Sequence, residues 1–240
     1  MAVHYRTQAF ILNKTDWNEA DQIFTVYTEE FGKIKIAAKA IRKIKSKLRS
    51  GMDLFYLSEI EFIQGKTYKT LTDAIILDKF ENIRKDLEKL EIASQIVEAL
   101  DDLIHEQEQD ENIWNLLIEV FDKLNNYWLL VTDYWLLYYY FFWNLLSLLG
   151  YQFDLYYCVF CQKKLSPVEL YFGSEGIACS DCSDKTEQKI EISPEVVKIL
   201  RIILKKDWNI LSRLKIDQYQ ELLKKISTDH LLFYKNHNML

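Results

Sequence analysis

Residues 32–39 read GKIKIAAK. Side chains of a β-strand alternate between two faces. Ile34, Ile36 and Ala38 therefore share one face, and Lys33, Lys35, Ala37 and Lys39 the other. The apolar row predicts the inside of a barrel, and the lysine row predicts a cationic outer face. Outward from this strand, segments 6–13, 21–28, 54–63 and 67–75 are also strand-length and rich in β-branched and aromatic residues. Breaks separate them at Asn13–Asn18, Glu29–Gly32, Arg49–Asp53 and Gln64-Gly65-Lys66. Five short strands in so few residues predict a small Greek-key barrel of the OB type.

The segment after the third strand, AIRKIKSKLRSG, is too basic for a core strand and reads as a loop. With the strand it contributes Lys33, Lys35, Lys39, Arg42, Lys43, Lys45, Lys47 and Arg49, and no acid lies between Lys33 and Met52. Repeated cations of this kind match a phosphate backbone. The run stands out because the 240-residue chain carries a net charge of −6. That balance excludes a uniformly basic nucleic-acid coat protein but not a local basic patch. Tyr27, Phe31, Phe55, Tyr56 and Tyr68 lie on or beside the strands as stacking candidates, although most such aromatics serve the core.

Beyond residue 80 the period becomes helical. Ile92, Ile96, Val97, Leu100, Leu103 and Ile104 form one stripe, and Ile113, Leu116, Leu117, Val120, Phe121 and Leu124 another. From Tyr127 to Leu149 the chain reads YWLLVTDYWLLYYYFFWNLLSLL, apolar nearly all round. Asp133, Asn144 and Ser147 interrupt it, and Tyr and Trp prefer a bilayer's interfaces to its centre. It reads as the central core helix of a bundle, ended by Gly150, rather than as a membrane span. Ser193-Pro194 opens a further helix, with serine as N-cap and proline at its first position. A last helix is expected over about 217–234.

Cys158-Val-Phe-Cys161 and Cys179-Ser-Asp-Cys182 are the chain's four cysteines. Their C-x2-C-x17-C-x2-C spacing is that of a tetrahedral thiolate site for Zn2+. Four protein ligands leave no open coordination position, so the expected zinc is structural, closing a module over about 154–190. The turn between its halves falls to Gly173 and Gly176. No secretory signal precedes this pattern, so the expected compartment is the cytoplasm and disulfides are not expected.

No catalytic set emerges. The six glycines form no phosphate-binding loop, and His4, His105, His230 and His237 show no metal-ligand spacing. His230 and His237 fall near a helix end, where a cation favours the dipole. Glu19 and Asp21 read as a structural turn pair.

Together these pieces resemble the bacterial recombination mediator RecO family. The resemblance is firmest in residues 5–80, with Glu19-Ala20-Asp21, the EEFGK turn and the basic run, and in 143–182, with LLSLLGYQFDLYYCVFC. Ala40 stands where the family commonly has Gly, Ile44 where it has Pro, and Gln152-Phe153 replaces a Pro-containing junction. The family's typical arginines are missing between Tyr134 and Gly150. The resemblance implies a non-enzymatic, nucleoid-associated protein without a membrane partner. It implies binding of single- and double-stranded DNA, strand annealing, and action with RecR to load recombinase onto DNA covered by single-strand-binding protein. With no arginine on the central helix, Lys198, Arg201, Lys205 and Lys206 are the expected contacts for that protein's acidic C-terminal tail. The expected architecture is α+β: an OB-fold DNA-binding domain over 1–80, then an α-helical bundle domain over 81–240 containing the zinc module. The alternative is a zinc-stabilised helical adaptor for protein or membrane surfaces.

Overall fold

The computed structural model describes residues 3–105, 107–126, 134–151, 153–166, 169–186 and 189–237. The chain forms two compact units, Met1–Asn125 and Asn126–Leu240.

The first unit is built on a closed barrel of β1 (His4–Asp16), β2 (Gln22–Thr28), β3 (Gly32–Ala38), β4 (Leu57–Gln64) and β5 (Lys69–Asp78). Its strand order is β1-β2-β3-β5-β4, closing through an antiparallel β1–β4 ladder, with β3 and β5 parallel. This is the five-stranded OB-like arrangement. The alternation in β3 holds on its apolar side: Ile34, Ile36 and Ala38 join Ala9, Ile11, Phe24, Val26, Ile60 and Phe62 inside the barrel. Ile41 and Met52, from the two ends of the basic loop, complete the same core.

The compact unit extends beyond residue 80. It includes α1 (Leu87–Leu103) and α2 (Glu111–Asn126). The cause lies in β1, where Ala9, Phe10, Ile11 and Leu12 are all buried, so both faces of the strand are covered. On the outer face Phe121 of α2 packs edge-on against Phe10, with ring centroids 4.4 Å apart, and against Phe80. Trp114 stacks on Tyr27, whose hydroxyl donates to the Asp110 carbonyl. Asp86 caps α1 by accepting from the N–H groups of Glu88 and Lys89.

Gly32 turns β2 into β3 with φ +62°, and a Cβ there would lie 2.2 Å from the Glu108 carbonyl oxygen in the α1–α2 connection. The left-handed backbone disfavours any L side chain, and the facing backbone leaves no room for one. Gly32→Ala is expected to destabilise this unit by about 3 kcal/mol. A urea midpoint unchanged from wild type would contradict that packing.

The second unit has α3 (Trp135–Leu148), α4 (Pro194–Leu204), α5 (Trp208–Leu211), α6 (Gln220–His237) and a small sheet of β6 (Leu170–Gly173), β7 (Gly176–Cys179) and β8 (Ile190–Ile192), ordered β7-β6-β8. Every residue of α3 from Leu136 to Leu146 is buried, as expected of a central core helix. Its polar member is satisfied: the Asn144 amide donates to the carbonyls of Tyr140 and Ile203. Residues 127–133 of the expected helix lie outside the described residues. Among the described residues no helix is long and apolar enough to cross a membrane. Gly150 ends α3 with φ +84°, and the Tyr151 N–H returns to the Leu146 carbonyl. Ser193 caps α4 by accepting from the Val196 N–H, with Pro194 at its first position.

Candidate nucleic-acid interface and metal centre

In OB barrels the face of strands 2 and 3, with the loops joining strands 1–2 and 4–5, is the side that takes oligonucleotides. Here that side carries a groove of about 440 Å3, lined among others by Trp17, Ile23, Lys35, Ala37, Tyr68 and Lys69. Trp17 comes from the β1–β2 loop and Tyr68 from the β4–β5 loop. Their rings meet edge to face at 5.1 Å, and they are 40% and 38% exposed. The Lys39 ammonium stands 5.7 Å from the centre of the Tyr68 ring. Two open aromatic rings beside Lys35, Lys39 and Lys69 provide stacking faces and phosphate partners together.

The remaining expected cations follow on the loop. Arg42, Lys43, Lys45, Lys47 and Arg49 are all exposed. Arg42 pairs with Asp16 at 3.0 Å, whereas Lys43, Lys45, Lys47 and Arg49 form no ion pair among the described residues. The loop is held at its base. Asp21 accepts from the Ala40 N–H at 2.7 Å and from the Asn18 amide. The Ala40 hydrogen bond is the main reason that the Asp21 carboxyl lies below its ordinary range, with Asn18, Lys39 and Lys43 acting in the same direction. Asp21 is thus the structural turn residue expected of it. Ala40 sits at φ +55°, a left-handed position that glycine adopts without strain. Ile44 is the second residue of the Lys43–Ser46 turn, a position that suits proline. The turn therefore forms despite that departure.

One expectation is corrected. Lys33 does not stand on an open face: it is 8% exposed, and its ammonium donates to the Asp101 carbonyl at 2.6 Å and carboxylate at 3.0 Å. The C-terminal turn of α1 and the connection after it cover this end of β3, with the Gln107 N–H donating to the Lys33 carbonyl. A cation at a helix C-terminus is favoured by the dipole, so Lys33 fastens the helix to the barrel. Tyr27 and Phe55 are likewise buried, and Tyr56 lies under the Arg84 guanidinium at 4.8 Å. Of the expected stacking candidates, Tyr68 is the most open. Trp17 was missed; its signal is a tryptophan within the polar turn between two strands, where no core is at hand.

In the second unit the four cysteine sulfurs lie within 4.8 Å of one another. All four thiols are free, and Cys161 and Cys179 Sγ are 3.8 Å apart. Cys158 and Cys161 share a knuckle closed by the Gln162 N–H on the Cys158 carbonyl. Cys179 ends β7, and Cys182 follows in the 3-10 turn Ser180–Lys185. Gly173 pairs with Gly176 across the β6–β7 turn, as anticipated. At Cys158 burial opposes ionisation, but the N–H groups of Cys161, Cys179 and Phe160 outweigh it and bring the thiol down to about 6. Burial and the neighbouring sulfurs push Cys182 up to about 12. A readily ionised thiol at Cys158 beside two that resist ionisation, Cys179 and Cys182, is the electrostatics of clustered sulfurs that a bound cation would relieve. The cluster can hold a metal ion, and the all-thiolate donor set suits a soft divalent one.

The four cations expected to meet an acidic tail, Lys198, Arg201, Lys205 and Lys206, separate. Arg201 donates to the Leu155 carbonyl and lies 4.3 Å over the Tyr156 ring. With Lys205, Phe153, Leu155 and Leu204 it lines a hollow of about 490 Å3. Lys198 pairs with Glu195 at 4.0 Å, and neither it nor Lys206 reaches that hollow. His230 departs from its expected role as a cation at a helix end. It is buried among Trp143, Phe153, Phe172 and Tyr234, and burial holds its pKa down at about 3.

The barrel with its groove, the helical unit and the four-cysteine module make this an α+β protein with an OB-like barrel and a cluster that can hold a metal. Residues 1–80 match the family "Recombination protein O N terminal" and residues 84–237 "Recombination protein O C terminal". The chain belongs to the recombination protein O family of DNA repair proteins. It is 35% identical over 216 residues to the DNA repair protein RecO of Dehalococcoides mccartyi (strain ATCC BAA-2266 / KCTC 15142 / 195), covering 89% of this chain and 83% of the relative. It is 30% identical over 202 residues to the DNA repair protein RecO of Syntrophomonas wolfei, covering 84% and 79%.

Proposed function

We propose that this chain is a cytoplasmic, nucleoid-associated and non-enzymatic recombination mediator. It binds single- and double-stranded DNA, promotes annealing, and acts with RecR to load recombinase onto DNA coated by single-strand-binding protein. The observation that carries this reading is the meeting of Trp17 and Tyr68 with Lys35, Lys39 and Lys69 on the OB face, continuous with the exposed cations Arg42–Arg49. Bases stack on the rings while phosphates meet the cations, and no bond need be made or broken. The hollow of Arg201, Lys205, Phe153 and Leu155 suits the acidic C-terminal tail of single-strand-binding protein. The metal of the cysteine cluster is zinc, in a structural role.

The test is fluorescence anisotropy of a labelled single-stranded oligonucleotide across a salt series. Wild type is compared with Lys35→Glu/Lys39→Glu/Arg42→Glu. Each phosphate contact on a single strand contributes about −0.7 to the slope of log K against log salt. The variant is expected to bind at least about a hundredfold more weakly, with a slope shallower by about two. Equal affinity and slope would remove the barrel face as the DNA site. No binding by a well-folded wild type at low salt would favour the adaptor alternative, which has no DNA activity.

A further inference from the structure

The barrel unit carries a second depression, which shares no lining residue with the groove. It is an open cleft of about 830 Å3, and its cations come from separate segments: Lys14 from β1, Arg42 and Arg49 from the basic loop, and Lys79 from just beyond β5. The rest of the lining is largely amide, hydroxyl and small apolar patches, including Gln22, Ser46 and Ser50. Asp53 is the cleft's carboxylate, and it is already neutralised by Lys14 and Arg84. Burial opposes its ionisation, but the Lys14 hydrogen bond prevails and keeps the carboxyl below its ordinary range. Arg49 and Lys79 form no ion pair among the described residues. The cleft thus retains a positive excess that matches a polyanion and suits neither a lipid nor an apolar ligand.

We propose that this cleft holds a second DNA strand by its phosphates while the groove holds the first. The inference rests on the DNA-binding reading above and adds where the complementary strand goes. The two depressions differ in the feature that decides what a strand exposes. The groove offers the open rings of Trp17 and Tyr68, which grip bases. The cleft's aromatic residue, Tyr56, is taken up by Arg84 and offers no such platform. A strand in the cleft is therefore held by its backbone alone, with its bases turned away and open to pairing. The basic loop serves both places: Lys39, at its start, faces Tyr68, and Arg42 and Arg49 wall the cleft. Its cations screen the repulsion between two phosphate backbones as they approach.

The experiment pairs two readouts on the full chain. Anisotropy measures the affinity for one labelled single strand, and stopped-flow energy transfer measures the annealing rate of two complementary labelled strands. The variants are Lys79→Glu, which disturbs no ion pair among the described residues, and Lys14→Gln/Lys79→Glu. The expected result is single-strand affinity within about twofold of wild type and annealing slowed at least about tenfold. Annealing at the wild-type rate overturns the proposal. A fall in single-strand affinity equal to the fall in annealing also overturns it, because the cleft would then continue the first strand's path. If wild type itself fails to bind a single strand at low salt, the DNA-binding reading falls, and this inference falls with it.

Discussion

Replacing Cys158 with serine is expected to abolish zinc binding and to unfold the cysteine-bearing turns at 158–162 and Ser180–Lys185. These turns have little else to hold them, whereas Leu170, Phe172, Ile177 and Ile192 of the sheet are buried and Phe172 packs against Trp143 and His230. The cluster around the cysteines consists of buried Cys158, Ala178 and Cys182, with Phe160, Leu165 and Tyr171 only partly covered. β6, β7 and β8 contribute four, four and three residues. The two turns lie outside those short strands and do not bury enough apolar surface to offset the entropy of ordering their chain. Structural zinc supplies about 10–16 kcal/mol of apparent binding free energy in comparable modules, and that binding energy is folding energy. Metal analysis of wild type is expected to give one zinc per chain, and of Cys158→Ser none. Amide exchange should show protection lost from the turns at 158–162 and Ser180–Lys185 while the barrel's ladders stay protected. A metal-free wild type with an ordered module would refute the structural-zinc assignment.

Acid is expected to loosen the second unit through His230. Its imidazole is 2% exposed, stacks on Trp143 at 5.6 Å with the planes 14° apart, and leaves Nε2 without a hydrogen-bond partner. The surrounding groups are the rings of Phe153, Phe172, Phe233 and Tyr234, with Asp229 beside it on the same helix. Burial holds the folded pKa at about 3, against about 6.5 for an unfolded histidine. The unfolded chain therefore takes up a proton below about pH 6.5 that the folded one refuses. The stability from keeping this ring neutral is complete above pH 6.5 and is lost progressively as the pH falls toward 3. At pH 5 the loss is about 2 kcal/mol. Urea unfolding followed by tryptophan fluorescence at pH 7 and pH 5 measures it. His230→Phe, which keeps an aromatic ring in an aromatic pocket, is expected to remove that portion of the pH dependence. An equal pH dependence in the variant would mean that other groups carry it.

What could be read from the chain depended on how far apart the interacting residues lie. β3 was legible because period 2 is written in seven consecutive residues. The cysteine module was legible because its spacing is itself the constraint. The burial of Lys33 was not, because Asp101 lies 68 residues away and nothing local marks the pair. The same holds for α1 and α2, which keep an ordinary helical stripe while covering the outer face of β1. The unbroken run Ala9-Phe10-Ile11-Leu12, which breaks the alternation expected of a half-exposed strand, was the available sign. His230 misled because a histidine late in a helix suggests a solvated end, whereas the turns around it are packed in aromatic rings. Lys35 and Tyr68 of the groove, and Lys39 beside the Tyr68 ring, were anticipated. Trp17 and Lys69 became visible only when the β1–β2 and β4–β5 loops were brought side by side.

The barrel is not equally sewn around its circumference. β2 and β3 are paired from Gln22–Ala38 to Thr28–Gly32, but β3 meets β5 only at Ile36–Lys69 and Ala37–Thr70. That short parallel seam lies in the groove wall, with Ala37 on one side and Lys69 on the other. Opening a closed barrel starts where the fewest backbone bonds must break, so the seam is the natural site of its slow breathing. On the proposed DNA-binding reading, a strand laid across it, held by Lys35 and Lys39 on one edge and by Tyr68 and Lys69 on the other, would act as a clasp. The ligand would then become part of what keeps the cylinder shut, and the barrel would be stiffest with its strand in place.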